Sequence, residues 1–186
     1  SKSYVDAVAE GLNVHQSARV LLRTPLAVLI GGGATVEYNN GVEGVGATLV
    51  SSTNVDWATK LSDPELNVGN RIVVAGESND AYNGIYVIDS ATTLIRADDL
   101  DSSVEMDGGD FVFVTHGTYA GTGWVLNRAV PIVGSSSVSF AQFSGAGAYE
   151  AGSGLLRDGT IFSVKASTGI TVSADGVSLS TTGTAG

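Results

Sequence analysis

The chain has 186 residues, 43% of them hydrophobic, with 25 glycines, 3 prolines, no cysteine and a formal charge of -10 at pH 7. That is apolar material for one ordinary domain with extensions, and the lack of cysteine excludes thiolate chemistry, Cys-based zinc sites and a disulfide framework. The negative charge makes nucleic acid a poor partner, because such binding draws on neutralised phosphates, and no apolar run reaches the ~20 residues of a membrane span, so no membrane insertion is expected.

The many Gly, Ser, Thr and Val residues suit an all-β chain rich in turns. In chain order, Ser3 and Asp6 have capping-box spacing, Val5, Val8 and Leu12 fall at helical intervals, and Gly11 supplies a stop. This predicts a short helix over 1–13, which needs a surface: its own domain, or two further copies around an axis. The apolar runs in 14–24 and 26–30 read as buried strands, and Gly31 to Gly33 end the second. Gly41, Gly44 and Gly46 supply positive φ in a loop between strands at 35–38 and 47–50. No Lys-Ser/Thr pair follows these glycines, so they are not a phosphate loop. Trp57 offers two readings, an exposed platform for a sugar ring or a partly buried anchor.

From 71 to 143 the pattern is an antiparallel meander: 71–75, then Asn83-Gly84 as a turn signal leading into Ile85-Tyr86-Val87-Ile88, then 94–96, 111–114, 123–126 and 138–143. Phe111 and Phe113 point one way and Val112 and Val114 the other, which argues for a strand covered on both faces, hence a sandwich, a barrel or a sheet covered by another subunit. Asp98, Asp99, Asp101, Glu105, Asp107 and Asp110 make an acidic stretch without the spacing of a calcium loop, so it reads as solvated loop surface rather than a metal site.

Tyr38-Asn39-Asn40-Gly41, Asn83-Gly84-Ile85-Tyr86-Val87, Ile95-Arg96-Ala97-Asp98, Gly109-Asp110-Phe111-Val112, Trp124-Val125-Leu126 and Phe140-Ala141-Gln142-Phe143 together resemble a β-rich module of bacteriophage tail and head fibre proteins. Ser3-Tyr4-Val5-Asp6 belongs to the same pattern. The resemblance implies a virion fibre component outside the cell, trimeric, joined to other fibre or virion proteins, and contributing to attachment to a bacterial surface glycan.

After Phe143 a Gly-Ala linker leads to two imperfect copies of one unit, a glycine, a short strand, an Asp-Gly turn and a second short strand, with leading glycines at 154 and 169. Such periodicity marks stacked units that cannot bury their own apolar faces. The copies are similar to shaft repeats of viral fibres; the alternative is an ordinary pair of hairpins. The expected architecture is therefore an all-β, mainly antiparallel sandwich or barrel-like body with a short N-terminal helix and a C-terminal β-structured shaft. Its divisions are 1–13, 14–143 and 144–186. Association is expected through Val5, Val8, Leu12, Leu155, Ile161, Ile170, Val172, Val177 and Leu179.

His15 and His116 stand in no catalytic motif, no nucleophile elbow occurs, and no carboxylate spacing marks a glycosidase pair. The expectation is a non-enzymatic attachment protein without cofactor or metal. The rivals are a passive spacer or anchoring segment, and a polysaccharide-degrading spike. Loop chemistry nominates 77–82 and 115–122 for receptor contact, with Asn79, Tyr82 and Tyr119 as the contacting side chains. A start at Ser1 rather than Met suggests a processed chain or a piece of a longer one.

Overall fold

The structure, a computed structural model, describes residues 13–144, 151–158, 161–167 and 169–179. The helix expected before Asn13, with Val5, Val8 and Leu12, lies outside the described residues. Among those described, fourteen strands in four sheets accompany two short α-helices, so the chain is all-β in class. It divides into two units, 1–145 and 146–186.

In the first unit six strands lie side by side in the order β2 (Val20–Leu22), β5 (Arg71–Val74), β6 (Gly84–Ile88), β7 (Thr93–Arg96), β4 (Thr48–Ser51) and β3 (Val36–Asn39). Four more follow the order β1 (Asn13–Val14), β8 (Asp110–Val114), β9 (Thr122–Leu126) and β10 (Phe140–Ser144). Pairing is antiparallel except between β2 and β5 and between β1 and β8. The two sheets enclose one core, where Leu21, Val73 and Ile85 meet Val112, Val114, Trp124 and Leu126. A second core lies on the other face of the six-stranded sheet. There Val20, Leu22, Ile72, Val74 and Leu94 pack against α1 (Leu26–Ile30) and α2 (Trp57–Lys60). The six-stranded sheet is thus the middle layer of three, and every residue of β5 is buried.

Four expectations need correction. The strand covered on both faces is β5, not β8: β8 belongs to an outer layer, so Val112 and Val114 point inward while Phe113 is 41% exposed. The run 26–30 is a helix. Pro25 holds φ at -53°, the Leu26 N–H donates to Glu77 Oε1 at 2.7 Å, and Gly31 ends the helix at φ 72°. Helical spacing lets Leu26 and Ile30 share the core while Val28 stays 67% exposed; a strand would have put all three on one face.

Asn83-Gly84 does not make the turn. Asn83 is extended (φ -61°, ψ 157°), and the chain reverses through the 3-10 turn Asp80–Tyr82. Glycine is required at 84 because a Cβ there would collide with the buried Arg96 guanidinium. Finally, the meander is two meanders, β5-β6-β7 and β8-β9-β10, in different sheets. The acidic stretch carries the chain between them, anchored by Leu100 and Met106, both fully buried in the inter-sheet core. The expected glycine loop is present, with Gly41, Gly44 and Gly46 at φ 59°, 109° and 69° between β3 and β4.

The second unit holds two antiparallel hairpins, β11 (Leu155–Asp158) with β12 (Ile161–Val164) and β13 (Ile170–Ser173) with β14 (Gly176–Leu179).

Candidate association faces and binding cleft

Register defines the hairpin faces. Ile170 pairs with Leu179 and Val172 with Val177, so these four side chains share one face, opposite Thr171 and Ser178. In the first hairpin Leu155 pairs with Val164 and Arg157 with Phe162. Shifted by the fifteen-residue repeat, Leu155, Phe162 and Val164 match Ile170, Val177 and Leu179. Ile161 pairs with Asp158 on the other face, so of the expected association residues it stands opposite Leu155, on whose face Phe162 and Val164 lie. Ile161 and Val164 are out of strict alternation because Phe162, not Ile161, shares the face of Val164. None of these apolar side chains is buried within the chain, and Leu179 is 80% exposed.

The body carries a second apolar face. On the outside of the four-stranded sheet, Val14 stands beside Phe111, Phe111 beside Val125, and Val125 beside Ala141. Phe143 meets the Phe111 ring edge-on at 6.1 Å, and Val14 and Phe143 are 69% and 61% exposed. Exposed apolar patches of this continuity mark interaction surfaces. The apolar residues at both parities of 111–114 were its sequence signal.

Tyr38, Asn40, Asn83, Tyr86 and Arg96, from three of the sequence motifs, converge on a buried polar junction. Arg96 donates to the Asn83 carbonyl and the Tyr86 hydroxyl, each at 3.0 Å, and Tyr86 donates to the Tyr82 carbonyl at 2.6 Å. Asn83 donates to the Val138 carbonyl, and Asn40 joins the Tyr38 hydroxyl to the Val133 carbonyl. These side chains tie three loops together, so the motif is one of architecture.

His15 lies between two carboxylates, 3.3 Å from Asp99 and 3.0 Å from Asp110, and Asp99 also pairs with Arg71. Burial works against ionisation of Asp99, but the bonds from Arg71 and His15 outweigh it and hold the carboxyl below its usual range. This cluster fastens the leading segment across both sheets. His116 is exposed and contacts the Thr115 hydroxyl at 2.8 Å. Trp57 is buried and donates to the Ser90 carbonyl at 2.8 Å, which removes the sugar-platform reading.

The nominated contact residues are placed differently from one another. Asn79 is exposed, and its side chain caps the 3-10 turn by accepting from the Ala81 N–H. Tyr82 is half-buried and stacks on Tyr38 at 4.1 Å, and Tyr119 packs edge-on against Trp124 at 5.5 Å. Tyr119 also lines a cleft of about 310 Å³ beside β2. Leu21, Leu29 and Leu61 form its apolar walls, and Arg23, Thr24, Lys60, Ser62 and Thr118 its polar ones. No carboxylate lines it. Arg23 stacks over Trp124 at 5.8 Å and Lys60 donates to the Ile30 carbonyl at 2.7 Å; among the described residues neither has an ion-pair partner. Sequence reasoning passed over both cations, since 23 and 60 meet only in three dimensions.

No protein-family model, no curated protein and no solved structure matches the chain.

Proposed function

We propose that the chain is a structural module of a bacteriophage virion fibre, extracellular and homotrimeric, whose body is presented to a bacterial surface while the hairpin segment continues as shaft. The observation that carries this reading is the hairpin pair. An isolated two-stranded hairpin is marginal in water, and here the apolar side chains of both hairpins are left uncovered by their own chain. Copies of the same segment, winding together with those faces inward, supply the missing cover, as stacked repeat units require. Trimerisation also multiplies weak surface contacts through effective concentration, so modest affinity at each site gives firm adhesion. The outer face of the four-stranded sheet gives the body its own apolar contact with fibre or virion proteins.

The experiment is light scattering on the full chain at micromolar concentration. A mass of three chains is expected, and a monodisperse monomer overturns the proposal. The passive-spacer reading draws on one observation, the engagement of Tyr82 and Tyr119 in internal ring contacts. Saturable binding of the labelled trimer to intact cells of some strains excludes it.

A further inference from the structure

We propose that the cleft beside β2 is a site for an acidic sugar unit of a surface polysaccharide. The inference rests on the attachment half of the reading above and names its ligand class and location. In a chain of charge -10, an anion is drawn where cations are left without a carboxylate partner. Arg23 and Lys60, on the wall of one cavity, have a ring contact and a carbonyl bond but, among the described residues, no carboxylate to neutralise them. Arg23 is exposed and backed by the Trp124 ring, which leaves its planar fork of donors for a carboxylate. The hydroxyls of Thr24, Ser62, Thr118 and Tyr119 around the same cavity suit a polyol, and the partly buried Leu29 offers an apolar contact for the C–H face of a pyranose.

The end of α2 contributes to the same place. Ser62 holds φ at 54°, one of two non-glycine residues with positive φ among those described, and it forms part of the cavity lining. That conformation ends α2, with the Ser62 and Asp63 N–H groups donating to the Thr59 and Ala58 carbonyls, and it fixes where the exposed Ser62 hydroxyl stands. Size selects a sugar over a peptide. At about 310 Å³ the cavity is at the small end of ligand sites. The turn Gly117–Tyr119 already sits against β2, where a Cβ on Gly117 would stand 3.1 Å from Val20 Cγ1, so the strand edge is not open for another strand.

The test is calorimetric titration of the full chain with a hexuronic acid oligosaccharide, the neutral oligosaccharide of the same linkage, and a glutamate-rich peptide. Binding of the uronate alone is expected, weakening as salt is raised. Arg23→Ala should lower its affinity roughly tenfold, and Ser62→Gly, which keeps the backbone conformation and removes the hydroxyl, a few-fold. Arg128→Ala, an exposed cation outside the cleft, should leave it unchanged. No uronate binding, equal binding of the neutral sugar, tighter binding of the peptide, or equal loss in Arg128→Ala overturns the site. A trimer that ignores the uronate overturns the cleft alone; a monomer that binds it overturns the fibre reading and supports the cleft.

Discussion

Arg96 is a cation buried to 2% exposure, held by a carbonyl, two tyrosine hydroxyls and the face of Tyr86 at 5.0 Å. Because these contacts pin the guanidinium, it cannot swing away from a methyl group added at position 84. Gly84→Ala should therefore cost about 1–3 kcal/mol by overpacking. In an Arg96→Ala background that cost should fall towards zero, which a double-mutant cycle by denaturant unfolding reads directly. Additive effects would mean that the glycine answers to something other than the arginine. Acid sensitivity has residue-scale causes too. Arg19 bonds hold Asp63 below its ordinary pKa against the cost of burial. Its contribution is therefore present above about pH 4 and lost as pH falls through the lowered value. Glu77 and Asp101, pushed up by burial, act with the opposite sign, gaining as they are protonated. Asp63→Asn should be less stable than the parent at pH 7, with the gap closing below about pH 4. A gap independent of pH would assign the loss to shape rather than charge.

Within the hairpins, charge placed on one face or the other separates association from local folding. On the proposed trimer, Phe162→Asp and Val177→Asp should cause dissociation, since both lie on the face that the repeat aligns. Ile161→Asp and Thr171→Asp, on the opposite faces, should leave it assembled, with elution volume and scattering mass as the readouts. Dissociation by Ile161→Asp in place of Phe162→Asp would reverse the inward face of the first hairpin. This distinction was beyond the sequence, where Ile161, Phe162 and Val164 are equally apolar and only pairing reveals which side each takes. Elements marked by strand composition were legible: β5 through β10 and both hairpins fall where apolar, β-branched runs placed them. Positions ruled by contacts distant in sequence were not. The run 26–30 is helical because of Pro25 and a distant Glu77, and Gly84 is glycine because of Arg96. The cleft gathers 20–24, Leu29, 60–62 and 117–119 from four separate segments, and no local pattern announces that meeting.

For the whole molecule, the two units depend on association to different degrees. The body has two apolar cores of its own, so its unfolding should change little with protein concentration. The hairpin unit has no buried residue among those described, and on the proposed reading its order comes from neighbouring copies. Mass action then makes its stability rise with concentration, since association binds the folded form and not the unfolded one. Thermal unfolding of the full chain over a hundredfold concentration range should resolve a transition that moves upward with concentration and one that stays nearly fixed. Removing 146–186 should abolish the moving transition and keep the other. If both stay fixed, the hairpins are held without help from further chains and the shaft reading fails. If both move together, the outer face of the four-stranded sheet carries the assembly as much as the hairpins do. Phe113→Asp, which charges that face without touching either core, should then uncouple the body's transition from concentration.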